Sequence, residues 1–260
     1  DNESDTDAAE ESKSTSELET SENEEEKASS KRPLSKIEKD RVVVLFISFL
    51  LVIVFWGAFE QAGGLMNIYA SEKTNRMLMG WEVPASWFQS LNAMFIIIFG
   101  TVVAAYWAKR KLNGKLSTSL FKMILGLIIM GAGFFFMTGA SMQYDDGGSS
   151  AMYWLVLAYL FHTIGELCLS PVALSYITKL SPVKYGSIMM GVYFAMTGFG
   201  NKLAGLLGES ASELGEYTIF TGIAVFCVLF GLLVMVFRNK LEKLTHGAED
   251  NERIINTQTE

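Results

Sequence analysis

Residues 151–177 read AMYWLVLAYLFHTIGELCLSPVALSYI, a run long and apolar enough to cross a bilayer. Glu166 stands near its middle. An ionisable side chain at that depth costs at least about 2–3 kcal/mol, and it is kept only where it faces a bundle interior or a wet cavity. The stretch therefore reads as a membrane helix carrying a substrate or proton site.

Five further apolar runs approach the roughly 20 residues that spanning hydrocarbon requires. The six spans lie near 42–68, 87–108, 119–139, 151–178, 186–208 and 217–237. Composition agrees, with 50% hydrophobic residues and a mean hydropathy of +0.28. The expected fold is an all-α membrane protein of six transmembrane helices, occupying residues 36–240. Residues 1–35 are polar and charged and are expected to be a disordered acidic cytoplasmic linker. Residues 241–260 are expected to form a polar cytoplasmic tail.

The net charge of −7 is uneven along the chain. Residues 1–30 hold twelve Asp/Glu against two Lys, a net of −10, which leaves +3 for the remainder. Cations gather before the first span (Lys31, Arg32, Lys36, Lys39, Arg41), between the second and third (Lys109, Arg110, Lys111, Lys115, Lys122), at Lys179 and Lys184, and after the last span (Arg238, Lys240, Lys243). The opposite loops hold Lys73 and Arg76, with none in 141–150 and none in 209–216. The bias toward positive cytoplasmic loops places both ends of the chain inside. The first residue is Asp with no signal peptide before it, so the chain reads as a fragment or one whose start lies upstream.

Cys168 and Cys227 lie inside apolar runs without ligand-like spacing and read as small core residues. Gly200, Ala204 and Gly208 place small residues at helical spacing, which lets helix backbones approach closely inside the bundle. No Gly-rich phosphate loop, metal-ligand cluster or Ser/His/Asp constellation is visible, so no enzyme and no cofactor is expected. Transport without an ATP motif would be driven by a gradient. The partners expected are a small solute and the lipid bilayer, with no nucleic acid.

Three stretches taken together carry a family likeness. They are PLSKIEKDRVVVLFISFLLVIVFWGAFEQAGGLMNIYA (33–70), WFQSLNAMFIIIFG (87–100) and GELCLSPVALSYITKLSPVKYGSIMMGVYFAMTGFGNKLAG (165–205). In order and spacing they resemble the second half of a proton-dependent oligopeptide transporter (POT/PTR), a family of the major facilitator superfamily. The resemblance implies the C-terminal six-helix bundle of a protein whose two halves rock around a central site. It implies a proton as coupling ion, a di- or tripeptide as substrate, a missing N-terminal six-helix half as partner, and a bacterial cell (inner) membrane as location. The family's Glu-x-x-Glu-Arg motif belongs to that other half. The match at Glu249–Arg253 lies in the polar tail and is read as chance.

Residue by residue, the resemblance makes Glu166 the acid that pairs with the peptide amino terminus. Glu60, one turn after Trp56, matches an acid tied to proton binding or to a gating ion pair. Asn92 matches an amide that reads the peptide backbone, with helix capping or inter-helix hydrogen bonding as the alternative, and Trp56 would shape the cavity wall. Tyr193 and Phe194 stand where the family has an aromatic pair, either a pocket with part of a gate or simple packing. His162, Glu166 and Ser170 recur at i, i+4 and i+8 on one face, which raises a proton relay through His162; a histidine satisfied by a neighbouring helix is the plainer alternative. Ser170-Pro171 would loosen the fourth span. Lys202 would snorkel from near the end of its span. Ala93, Thr101, Ala173 and Tyr193 depart from the family pattern and bear on substrate preference. Two other functions stay open: symport of another small solute, such as an amino-acid conjugate or nitrate, and a non-transporting membrane subunit.

Overall fold

The computed structural model describes residues 33–249. The acidic linker expected at 1–35 lies almost wholly outside the described residues, as does the end of the tail.

Ser35 opens the first helix with a capping box. Its hydroxyl accepts from the Glu38 amide at 3.2 Å, while the Glu38 carboxylate accepts from the Ser35 amide at 2.7 Å. Helix α1 then runs Lys36–Phe59. Within the expected span of 42–68 the α-helix is interrupted at this point, although Lys36–Glu72 as a whole is long and apolar enough to cross a membrane. A 3-10 turn, Glu60–Ala62, follows; the amides of Gly63 and Gly64 both donate to the Glu60 carbonyl, and a short helix α2, Leu65–Glu72, resumes the path. Gly64 has the non-helical backbone (φ −99, ψ −106) that ends the first rod.

Four connecting strands of two residues each follow α2. β1 (Thr74–Asn75) pairs in parallel with β4 (Ser150–Ala151). β2 (Met77–Leu78) and β3 (Trp81–Glu82) form a hairpin whose turn residues Met79 and Gly80 both have positive φ, 53° and 85°, as a tight primed turn demands. The remaining helices are α3 (Trp87–Leu112), α4 (Ser119–Gly147), α5 (Met152–Leu180), α6 (Gly186–Leu214) and α7 (Glu216–Leu244).

Packing centres on α4, which lies against both α5 and α7. The α4–α5 crossing has backbone on backbone: a Cβ on Gly126 would sit 2.6 Å from the Gly165 carbonyl, and one on Gly165 would sit 2.7 Å from the Gly126 carbonyl. Only glycine fits there, as in other close membrane helix pairs. α1 packs chiefly on α6 and α3 on α5. At the α1–α6 crossing a Cβ on Gly200 would meet Trp56 Cβ at 2.8 Å. One turn away, the buried Gln61 amide donates to the Ala204 carbonyl at 2.9 Å. The small residues of α6 thus serve approach within the bundle.

Five segments are long and apolar enough to cross a membrane: Lys36–Glu72, Trp87–Leu112, Ser119–Gly147, Met152–Leu180 and Glu216–Leu244. The sixth expected span, α6, has the length (29 residues, about 43 Å at 1.5 Å per residue) but less apolar character. Its glycines, Ser210, Asn201 and Lys202 dilute it. Because α6 runs on to Leu214, Lys202 lies three turns inside the helix end, exposed.

Both ends of the bundle are tied. At the strand end, Lys73 Nζ donates to Glu216 at 2.7 Å, and the Ser150 amide donates to the Lys73 carbonyl at 2.9 Å. Burial alone would lower the pKa of the Lys73 ammonium, but the Glu216 carboxylate outweighs it and holds the pKa above the ordinary 10.5. At the lysine-rich end, the helix runs past the expected boundary at 240. α7 continues to Leu244, and the chain then turns through His246 and Gly247, both at positive φ, and folds back under the bundle. Arg41 Nε donates to the Thr245 carbonyl at 3.0 Å, and His246 Nε2 lies 2.8 Å from Asp40. Thr118 donates to Glu242 at 2.5 Å, and the Ser119 amide donates to Glu249 at 2.9 Å.

Candidate functional site

The seam between α3 and α5 brings two of the expected residues together. Asn92 Nδ2 donates to Glu166 Oε2 at 2.8 Å and to Thr163 Oγ1 at 3.2 Å, and the Thr163 hydroxyl donates in turn to the Tyr159 carbonyl at 2.8 Å. Glu166 is half-buried and has no ion-pair partner among the described residues. A carboxylate held by one neutral amide keeps acceptor capacity for a cation or a proton. Thr163 went unremarked in the sequence. Its signal was there, since it lies three residues before Glu166 on the same helical face.

α1 and α6 hold the aromatic residues. Trp56 packs edge-on against Phe55 and Phe59, with ring centroids 5.9 and 5.3 Å apart. The Tyr193 phenol lies against the Trp56 indole. Tyr193 is buried, whereas its neighbour Phe194 is 62% exposed. The pair therefore divides, with Tyr193 in the helix seam and Phe194 on the open face. Glu60 is half-buried at the turn that ends α1 and has no ion-pair partner among the described residues. Ser170 is half-buried one turn beyond Glu166, and Pro171 sits exposed inside a helix that continues to Leu180.

His162 takes a different direction. Its ring is 1% exposed and packs on Phe134 of α4, centroids 4.4 Å apart, in a space opened by Gly133, where a Cβ would come within 2.6 Å of Cδ2. Neither ring nitrogen has a hydrogen-bond partner among the described residues. His162 faces α4 while Glu166 bonds to α3, so the shared register does not bring the two side chains together. The neighbouring helix packs the ring without bonding it, which departs from the plainer alternative.

Among the described residues, no three His, Cys, Asp or Glu side chains gather as metal ligands. A bundle of membrane-length helices, with an acid and an amide meeting at a half-buried seam, has the architecture of a multi-pass membrane transport protein. The chain belongs to the POT family, whose model matches residues 3–220. It is 33% identical over 227 residues to the peptide transporter YePEPT of Yersinia enterocolitica, covering 84% of this chain and 44% of that protein. It is 28% identical over 217 residues to a di-/tripeptide transporter of Lactococcus lactis, covering 80% and 43%. A crystal structure of a peptide transporter POT in complex with sulfate superposes with a TM-score of 0.76 at 30% identity, covering 81% of this chain and 42% of that one. A POT family transporter in complex with 5-aminolevulinic acid gives a TM-score of 0.73 at 26% identity, covering 83% and 45%. The chain spans less than half the length of the curated relatives it matches. Its fold is the six-helix half of a major facilitator expected from the sequence.

Proposed function

We propose that this chain is the C-terminal half of a proton-coupled symporter of di- and tripeptides in a bacterial inner membrane, with its lysine-rich end in the cytoplasm. The observation that carries the reading is the half-buried Glu166 carboxylate, held by the neutral Asn92 amide and without a cation of its own among the described residues. A carboxylate in such surroundings favours either a positive partner or a proton. The peptide ammonium supplies the first and the coupling ion the second. Asn92 orients the carboxylate and leaves its other oxygen for the substrate.

In the proposed cycle the cavity opens outward, protons and peptide enter, and the ammonium engages Glu166 while the other half holds the peptide carboxylate. The halves rock, and proton loss on the cytoplasmic side releases the peptide. Glu60, at the end of α1, serves the proton step or pairs with a cation of the other half. Trp56 and Tyr193 wall the cavity, with Phe194 and Ser170 toward the substrate. A second reading, a small amino-acid-like solute, draws on the relative in complex with 5-aminolevulinic acid.

The test is uptake of labelled dialanine by the full-length transporter in liposomes, with and without an inward proton gradient, for wild type and Glu166→Gln. Gradient-driven uptake that the substitution abolishes is the expected result. Uptake that survives Glu166→Gln makes the carboxylate structural. Folded wild type that moves 5-aminolevulinic acid and no dialanine favours the second reading.

A further inference from the structure

The Asn92–Glu166 contact is one link of a longer polar chain whose inner end is fixed by α5 itself. Thr163, fully buried, donates its hydroxyl hydrogen to the Tyr159 carbonyl one turn back at 2.8 Å. Tyr159 is anchored in turn, since its phenol donates to the Ala62 carbonyl at 2.8 Å. A hydroxyl has one hydrogen, and with that hydrogen spent Thr163 only accepts from Asn92. Glu166, as a carboxylate, is likewise an acceptor and no donor. Asn92 therefore faces two acceptors, Thr163 Oγ1 at 3.2 Å and Glu166 Oε2 at 2.8 Å, and its two amide hydrogens go one to each. The reverse orientation, with Oδ1 toward them, would set acceptor against acceptor at both contacts. When Glu166 carries a proton it gains a hydrogen to donate, and its own objection to the flip disappears. The objection at Thr163 does not: in either state of the acid, a flipped amide costs Thr163 its bond to Tyr159 or leaves two acceptors face to face.

We propose that Thr163 is a positioning residue of the substrate site: it fixes which end of the Asn92 amide faces Glu166, so that the acid meets an amide hydrogen rather than the amide oxygen. This role rests on the reading of Glu166 as the acid that engages the substrate ammonium. Replacing the hydroxyl by a methyl keeps the shape of the side chain and removes the acceptor, which leaves the Asn92 amide free to turn about its last bond. A turned amide brings Oδ1 beside the carboxylate, where it repels the acid and competes with it for the ammonium. Thr163 touches neither substrate nor proton in this scheme and acts through Asn92 alone.

The test is dialanine uptake by the full-length transporter in liposomes under an inward proton gradient, with KM and kcat taken per folded transporter. Thr163→Val should raise KM about three- to ten-fold, the loss of one hydrogen bond, with kcat near wild type. Thr163→Ala replaces it if the valine variant melts well below wild type. Thr163→Ser, which keeps the hydroxyl, should stay within about two-fold of wild type. In an Asn92→Ala background Thr163→Val should move KM no further, because no amide is left to hold. An unmoved KM in Thr163→Val overturns the proposal, and if the melt falls with it the bond to Asn92 is only a tie between α3 and α5. So does a KM raised as much again in the Asn92→Ala background, or a serine variant that behaves like the valine one. Glu166→Gln, run alongside, separates this role from the reading beneath it. Uptake that survives Glu166→Gln overturns both, whereas uptake abolished there with KM unmoved in Thr163→Val overturns the positioning role alone.

Discussion

Helix α4 buries thirteen of its 29 residues, whereas α3 buries three of 26 and α6 four of 29. α4 sits between α5 and α7 with glycine set against backbone, and the polar atoms that face it are few. α3 and α6 each lean on a single main neighbour, α5 and α1, and leave most of their surface uncovered. The amide that meets Glu166 comes from α3, and the exposed Phe194 and Lys202 come from α6. α4 is therefore the densely packed wall of the bundle, whereas α3 and α6 keep most of their surface open. Glu166 and His162 show the division within one helix: one turn apart on α5, the first is held by an amide and the second is sealed in apolar packing.

The comparison breaks most directly at Gly126. Gly126→Leu drives side-chain atoms into the Gly165 backbone, and overpacking of this kind costs about 3 kcal/mol or more. The expected result is a large drop in melting temperature of the detergent-solubilised transporter, or loss of monodisperse protein; an unchanged melt would refute the sealed wall. On the thin side, Asn92→Ala removes a charge-assisted hydrogen bond of about 1.5–3 kcal/mol. Dialanine uptake at low substrate should fall about ten- to a hundred-fold, while the melt falls by less than for Gly126→Leu. A melt that collapses along with uptake would erase the distinction between the two sides.

A smaller effect belongs to Lys73→Met, which removes the pair with Glu216 and about 1 kcal/mol of stability. Since the folded pKa lies above 10.5, this contribution is complete below the unfolded value and fades as pH rises through the folded one. Melting curves of variant and wild type should differ at pH 8 and converge only above about pH 10.5. Convergence at lower pH would count against the ion pair. The smallest shift is expected for His162→Gln: with the ring enclosed by α4, the pH dependence of uptake should stay where it is. A displaced profile would return His162 to the proton path.

Much of this was legible in the chain. Apolar runs report spans because hydrocarbon imposes a length, and Glu166 stood out because charge at that depth is costly. Asn92 and Glu166 were named separately, and their meeting depends on a crossing of α3 over α5 that no local pattern carries. The overrun of α4 to Gly147 was hidden by MQYDDG, which reads as a loop, yet a helix that leaves the membrane can continue in water until Gly148 ends it with φ 72. The break after Glu60 had its signal in Gly63-Gly64 and was outweighed by the apolar residues on both sides. The folded-back tail was out of reach, since Arg41 and Thr245 are 204 residues apart in sequence.

The ties at the two ends have a mechanical consequence. β1 with β4 and Lys73 with Glu216 fasten one end, and the returning chain at 245–249 fastens the other. A rod bundle lashed at both ends behaves as a lever with little internal slack. A push delivered on one membrane face arrives at the other as rotation of the whole body, and loosening either lashing would let the rods shear past one another before the load was passed on.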